Sequence, residues 1–496
     1  MTTAQPARAA ARARLWAGAR PSADRLLVWL VLTAAGALSA VLMLIGLGRR
    51  SLWFDETVSV AAARLPVGDL VRYLAGTEVN MSLYHLLLHG WLRLGESDAF
   101  ARSLSVVFGL ATLPVAFALA RRLFGVPTAV IALVLLAGNV QLVGHAREAR
   151  GYSLAVLLVA AAALFLVRAV QDDRRLDWAL FPLVAALAVY AHLLAAFAVA
   201  AQLVSLLLVR RRVHSRRALL AAGSFAVLLV PLAVSLAANW QGAQIDWVDP
   251  PKPRQLPGLL LWFAGSRPVV AIYTAGVLIA AATAYREWRA RRDEGRLWPY
   301  VFLAAVVILP PLVAYAVSFA KPVYLYRYFL VSLPALSVLV AAGFARLGRL
   351  WIVVPVVLAA AALTSRTTVE CTPGCVIGDD DWRSAATQVE SRARSGDVVL
   401  FVPSQLRTAF AHYVPESSRP RLLYPARWPL RGGAREGEAT LEAALDRAAS
   451  APRVWLVTWW LPDLGVPDRL SLAHGAPQEL DFGGNVLVRL YGSSTP

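Results

Sequence analysis

The stretch Leu26 to Leu47, LLVWLVLTAAGALSAVLMLIGL, carries no charge and is followed, after Gly48-Arg49-Arg50, by Ser51-Leu52-Trp53-Phe54-Asp55-Glu56-Thr57-Val58-Ser59. A bilayer span needs about 20 mostly apolar residues, so the first segment is long enough to cross. It lacks a small-residue cleavage site, which makes it an anchor rather than a removable signal. Ten further apolar stretches follow, near 101–120, 127–143, 152–169, 177–191, 193–209, 218–238, 268–285, 298–318, 326–345 and 350–364. The run 177–209 is too long for one span, and His192 in its middle is the natural place to fold it. The expectation is a mostly α, polytopic membrane protein of about 11 helices.

Composition agrees. Of the 496 residues 58% are hydrophobic and only 16% charged, against roughly 25% charged in a soluble domain. The formal charge of +18 resembles that of a nucleic-acid binder, but its distribution argues otherwise. Residues 366–496 hold 14 Arg against 15 Asp and Glu, so the excess lies wholly in the apolar first 365 residues. Short basic loops set the orientation of membrane helices. With the basic tail 1–25 (Arg8, Arg12, Arg14, Arg20, Arg25) placed in the cytoplasm, alternation puts Arg121–Arg122, Arg174–Arg175, Arg210–Arg217, Arg286–Arg296 and Arg346/Arg349 on that same side. The other side then receives the loop 48–100, the joints near 144–151 and 319–325, the loop 239–267, and residues 366–496. Chemistry on those loops is expected outside the cytoplasm, where neither ATP nor nucleotide sugars are expected.

Three regions follow: the tail 1–25, a membrane domain 26–365, and an extracytoplasmic domain 366–496. The last alternates helix and strand signals: helices near 382–394, 405–413 and 438–450, and strands near 398–403, 422–424, 454–459 and 486–491. Such alternation reads as a small α/β layer. Residues 426–437 read as a loop. Cys371 and Cys375, the only cysteines, bracket Thr-Pro-Gly. In an oxidising compartment they suit a small-loop disulfide, with two free thiols as the alternative and zinc disfavoured by the missing companions.

Four polar clusters fall on the expected outer face. Asp55-Glu56 follows the first span, where a helix cap is the plain alternative. The segment Asn80-Met81-Ser82-Leu83-Tyr84-His85-Leu86-Leu87-Leu88-His89-Gly90-Trp91 leads to Ala101-Arg102; for Tyr84 and Trp91 an interfacial helix suffices. His145-Ala146-Arg147-Glu148-Ala149-Arg150-Gly151-Tyr152-Ser153 opposes the charge bias, with an intrahelical Glu–Arg pair as the plain alternative. Tyr190-Ala191-His192 and Lys321-Pro322-Val323-Tyr324-Leu325-Tyr326-Arg327-Tyr328 complete the set. Ionisable groups at membrane depth are costly and usually face a cavity or a partner.

Taken in order, Trp53-Phe54-Asp55-Glu56, Leu83-Tyr84 through Trp91, Ala101-Arg102-Ser103-Leu104-Ser105 with Gly109, Ala146 through Leu154, Tyr190-Ala191-His192 and Tyr326-Arg327-Tyr328 with Pro334 resemble the GT-C superfamily. These are integral-membrane glycosyltransferases that use polyprenyl-phosphate sugars. The most similar branch is the protein O-mannosyltransferase and lipid A aminoarabinose transferase group (glycosyltransferase family 39-like). Its extracytoplasmic domain is similar to the one beginning at Asp381-Trp382-Arg383. Many relatives carry a proline pair where Met81-Ser82 stands, with an acidic or amide residue at the position of Asn80. The first loop here is therefore shaped for a different acceptor.

Sugar transfer from a polyprenyl phosphate to a hydroxyl requires a base for the acceptor proton and cations for the leaving phosphate. Asp55 suits the base by its place at the membrane edge, and the resemblance implies the same residue. Glu56 or Glu148 would orient the acceptor or tune Asp55. Arg327 and Lys321 suit the phosphate, with Arg150, Tyr152 and His192 behind them. No metal is obligatory for a phosphate leaving group. A divalent cation stays open, because pyrophosphate-using relatives depend on one and Asp55, Glu56 and Glu148 carry suitable oxygens. Direct attack would invert the anomeric centre. By resemblance mannose is the first sugar to consider, with arabinose and aminoarabinose open, and the acceptor is a lipid, glycan or protein. Membrane lipids are the remaining partner and nucleic acid is not one. The competing class is a lipid-linked glycan transporter or flippase, but no paired half-repeat or matched Gly/Pro-broken helices support it.

Overall fold

A computed structural model describes residues 23–210, 213, 215–239, 248–290, 294–348, 380–414, 421–424, 438–459, 465–483 and 486–492. The tail 1–22, the expected span 350–364, Cys371 and Cys375, and the loop 426–437 lie outside the described residues.

The membrane part runs α1 Ala23–Leu44, α2 Phe54–Ala63, α3 Val67–Gly76, α4 Ser82–Trp91, α5 Asp98–Phe124, α6 Val126–Ala137, α7 Val140–Ala146, α8 Tyr152–Asp172, α9 Arg175–Ala191 and α10 Ala195–Ser205. It continues with α11 Ser215–Leu228, α12 Val230–Ala238, α13 Gln255–Ala264, α14 Arg267–Arg289, α15 Glu294–Val317, a 3-10 turn Tyr326–Ser332 and α16 Leu333–Phe344. Among the described residues six helices are long and apolar enough to cross a membrane, or seven when the bent pair α6–α7 counts as one span. The expected ten spans before residue 350 each coincide with helix, but several are shorter or broken. The stretch 127–143 bends by 56° at Asn139, whose side chain caps α7 by accepting from Gln141 N at 2.9 Å and Leu142 N at 3.1 Å. An apolar stretch cannot announce that break; a mid-run Asn is its only sequence signal. At 177–209 the chain does fold at His192, which is extended (φ −162°) between α9 and α10.

The helices pack closely through small residues, as expected where van der Waals contact rather than hydrophobic expulsion drives association. Between α14 and α16 the backbones touch: a Cβ built on Gly343 would lie 2.0 Å from Gly276 O. Gly343→Ala is therefore expected to push the two helices apart and cost about 1–3 kcal/mol or more, read as a lower midpoint of thermal unfolding in detergent.

The C-terminal domain comprises α17 Trp382–Arg392, β1 Val398–Val402, α18 Arg407–Tyr413, β2 Arg421–Tyr424, α19 Glu438–Ala449, β3 Val454–Thr458, α20 Val466–His474, β4 Gln478–Asp481 and β5 Leu487–Tyr491. Its sheet has the order β2-β1-β3-β5-β4, with β1 parallel to β2 and β3, and β5 antiparallel to β3 and β4. Side chains alternate across the sheet. Val399, Phe401, Trp455, Val457, Val488 and Leu490 meet α17 and α18 on one face, and Val398, Leu400, Val402, Val454, Leu456 and Tyr491 meet α19 and α20 on the other. With both faces covered, β1 and β3 are buried along their whole length, as central strands of α/β layers are. The α/β expectation holds. Helix α20 and the exposed edge strand β4 were not foreseen, because β4 (Gln-Glu-Leu-Asp) carries no apolar alternation.

Candidate functional site

Asp55 is the second residue of α2, at the end of the segment that leaves the first span. Its neighbour Glu56 decides how that segment is held. Glu56 is wholly buried; Oε1 accepts from Arg102 Nε at 2.8 Å and Ala149 N at 2.7 Å. Its Oε2 accepts from Arg102 Nη2 at 2.6 Å and from Trp53 N at 3.1 Å. The Trp53 bond is the helix-capping arrangement, in which the third residue's carboxylate reaches back to the cap. Arg102 also donates to the carbonyls of Leu47 and Arg50, both at 2.9 Å, and of Ser51 at 2.8 Å. One buried ion pair thus ties together the end of the first span, α2, α5 and the turn before α8. Both oxygens of Glu56 are thus occupied by Arg102, Ala149 N and Trp53 N, as the cap interpretation expects.

Asp55 is different. Its side chain is 25% exposed, and its nearest charged partners are Arg150 Nη2 at 3.7 Å and Arg327 Nη2 at 4.0 Å. Among the described residues no group donates a hydrogen bond to its carboxylate. Arg150 comes from the turn between α7 and α8 and is steadied by Ser59 Oγ at 3.0 Å and by the Asp55 carbonyl at 3.4 Å. Arg327 comes from the 3-10 turn before α16, with its guanidinium 5.7 Å from the ring centres of both Trp53 and Tyr328. Both cations are almost wholly enclosed by protein.

Tyr152 and His192 join them. Their rings lie 5.7 Å apart, and His192 lies 4.8 Å from Tyr328. His192 Nδ1 accepts from Leu194 N at 3.3 Å, which leaves the proton on Nε2. Burial, with Arg150 and Arg327 beside it, pushes His192 down to about 3, so the ring is a neutral donor. Three buried polar atoms, Arg150 Nε, Tyr152 Oη and His192 Nε2, have no hydrogen-bond partner among the described residues. Buried donors are rarely left so, and these lie in one cluster with the Arg150 and Arg327 guanidinium groups, an electropositive site with unused donors.

Glu148 stands beside this pocket, paired with His145 Nδ1 at 3.1 Å. Burial alone would raise its pKa, but His145, Arg327 and Arg150 outweigh that and hold it below the usual carboxylate range. It is a fixed negative charge. Lys321 is half-buried in the turn after α15, six residues before Arg327 in the chain. With Glu56 committed to Arg102 and Glu148 to His145, the three carboxylates do not converge as a cation site. Among the described residues no group of three His, Cys, Asp or Glu could hold a metal ion.

Sequence reasoning missed Glu78. It sits half-buried in the loop between α3 and α4, where its charge acts on Arg150 and Tyr73. Burial, reinforced by Asp55 and offset by Arg150, pushes it up to about 7. The only signal was a lone Glu two residues before Asn80. Asn80 itself is structural: its Oδ1 accepts from Leu193 N at 3.1 Å. Beside it Met81 takes a left-handed conformation, φ 61°, which a proline could not adopt.

The family described as dolichyl-phosphate-mannose-protein mannosyltransferase matches residues 81–235. A sequence comparison with curated proteins finds no match. Among solved structures the chain resembles ArnT from Cupriavidus metallidurans in the apo state, with 16% identity over 95% of this chain and 100% of that one and a TM-score of 0.65. It also resembles the same protein bound to undecaprenyl phosphate, with 15% identity over 96% and 100% and a TM-score of 0.61. The Archaeoglobus fulgidus oligosaccharyltransferase AglB, in complex with an inhibitory peptide and a dolichol-phosphate, matches with 10% identity over 95% of this chain and 75% of that one, TM-score 0.51. Over most of its length the chain therefore has the fold of these proteins: it is a polytopic membrane protein with the GT-C fold.

Proposed function

We propose that this chain is an inverting glycosyltransferase that moves a sugar from a polyprenyl phosphate to an acceptor hydroxyl on the extracytoplasmic face, with Asp55 as general base. The observation that carries this reading is the pocket itself: a partly exposed carboxylate facing two enclosed arginines, ringed by the unused donors of Arg150, Tyr152 and His192. Such an array is complementary to a phosphate rather than to a neutral sugar. Guanidinium groups bind phosphate oxygens bidentately, and neutral donors complete the shell without adding charge.

Transfer follows from this placement. The acceptor hydroxyl gives its proton to Asp55 as its oxygen bonds to the anomeric carbon. The bond from that carbon to the phosphate oxygen breaks, and the polyprenyl phosphate leaves with the electron pair. Arg150 and Arg327 stabilise the charge that develops on the phosphate, and cations placed beforehand at such a point supply much of a catalytic effect. Glu148 keeps the pocket from becoming overly positive. No step requires a metal. Relatives described as acting with mannose make this sugar the first to test. The distribution of basic joints along the sequence supports a pocket on the extracytoplasmic side.

Arg327→Ala is expected to weaken binding of undecaprenyl phosphate by about tenfold to a hundredfold, the range for a charge-assisted contact worth about 1.5–3 kcal/mol. Titration of the detergent-solubilised full chain, followed by intrinsic fluorescence, reads this directly. Affinity equal to the wild type would remove Arg327 from the phosphate site.

A further inference from the structure

The C-terminal domain touches the membrane part at the segment that carries Asp55. Tyr413, the last residue of α18, accepts a hydrogen bond from Leu52 N at 2.6 Å through its hydroxyl and donates to Asp98 Oδ2 at 2.9 Å. Asp98 opens α5 and gathers two more donors from the same domain, Arg383 Nη2 at 2.6 Å and His412 Nε2 at 2.9 Å. One residue before Leu52, Ser51 Oγ donates to Asp380 O at 2.7 Å. Two residues after it, the ring of Phe54 lies 5.3 Å from that of Trp459, whose Nε1 donates to Asp380 Oδ2 at 3.1 Å.

The segment is gripped from both sides. From the membrane, Arg102 holds the carbonyls of Leu47, Arg50 and Ser51. From the outer domain, Tyr413, Asp380 and Trp459 hold Leu52 N, the Ser51 hydroxyl and the Phe54 ring. Among the described residues no hydrogen bond fixes the carboxylate of Asp55, so its place relative to Arg150 and Arg327 is inherited from the backbone of Ser51–Phe54. We infer that the outer domain, through Tyr413 and Trp459, positions Asp55 for proton transfer and is thereby a working part of the active site. This inference rests on the assignment of Asp55 as base. A general base loses efficiency quickly when displaced, because a shift of about 1 Å can cost on the order of 100-fold, whereas Arg150 and Arg327 are carried by the turn before α8 and by the 3-10 turn Tyr326–Ser332 and meet this segment only through the Asp55 carbonyl and the Trp53 ring, so phosphate binding depends on it less.

The test uses the full chain in membranes supplied with radiolabelled undecaprenyl-phosphate mannose or arabinose, with Tyr413→Phe, Trp459→Leu and Asp55→Asn measured side by side. Tyr413→Phe removes one hydroxyl and little volume. It is expected to lower kcat about tenfold, while the affinity for undecaprenyl phosphate stays within twofold; Trp459→Leu should do the same. Arg469→Ala, on the far surface of the domain, should change neither. Wild-type kcat in both Tyr413→Phe and Trp459→Leu, with Asp55→Asn inactive, overturns the positioning role alone. Parallel loss of kcat and of undecaprenyl phosphate affinity also overturns it, since that is the mark of a general structural contact. Full turnover by Asp55→Asn defeats the underlying assignment and the inference with it.

Discussion

Asp55→Asn is expected to cut sugar transfer by about 10³-fold or more, at the upper part of the range for loss of a general base, with folding and donor binding retained. The substitution keeps shape and removes the proton acceptor. Folding should survive because the carboxylate is partly exposed, receives no hydrogen bond among the described residues and meets its arginines at 3.7 and 4.0 Å, too far for a direct bond. Donor binding should hold or improve slightly, since the variant lifts a negative charge from beside the phosphate. Measured on purified protein, turnover should fall far more than affinity for undecaprenyl phosphate. Equal losses of both would mean that Asp55 organises the pocket instead of taking the proton.

The neighbouring carboxylate should behave in the opposite way. Glu56→Ala leaves Arg102 buried without its anion and strips acceptors from Ala149 N and Trp53 N. Breaking a buried ion pair by removing one partner costs about 3–5 kcal/mol, and here it also unties four segments at once. The expected result is a sharp loss of folded, monodisperse protein and a lower unfolding midpoint. The fraction that does fold should still bind undecaprenyl phosphate. Normal stability with lost turnover would instead put Glu56 among the groups that touch substrate.

This contrast between adjacent residues marks the limit of what the chain reveals by itself. Asp55 and Glu56 read alike in sequence, as an acidic pair at the start of a helix. What separates them is the partner: Arg102 lies 46 residues away, and only packing brings it under Glu56. The membrane character, the fold at His192 and most of the α/β domain were legible, because each rests on local composition or period. The cluster of Asp55, Arg150, Tyr152, His192 and Arg327 was legible as a set of polar residues on one face, since apolar surroundings make such residues conspicuous. Its internal geometry was not. Glu78 was missed because a lone Glu in a polar loop has no contrasting background. The bend at Asn139 and the left-handed Met81 were hidden for a related reason: one residue sets each, against a sequence pattern that continues through.

The most direct measurement is a structure of the full chain with undecaprenyl phosphate bound. The phosphate is expected between Arg150 and Arg327, within hydrogen-bond distance of Tyr152 Oη and His192 Nε2, with Asp55 beside it and open to an incoming hydroxyl. A phosphate seated elsewhere, on Lys321 for example, with Arg150 Nε, Tyr152 Oη and His192 Nε2 still unpaired, would contradict the proposed site.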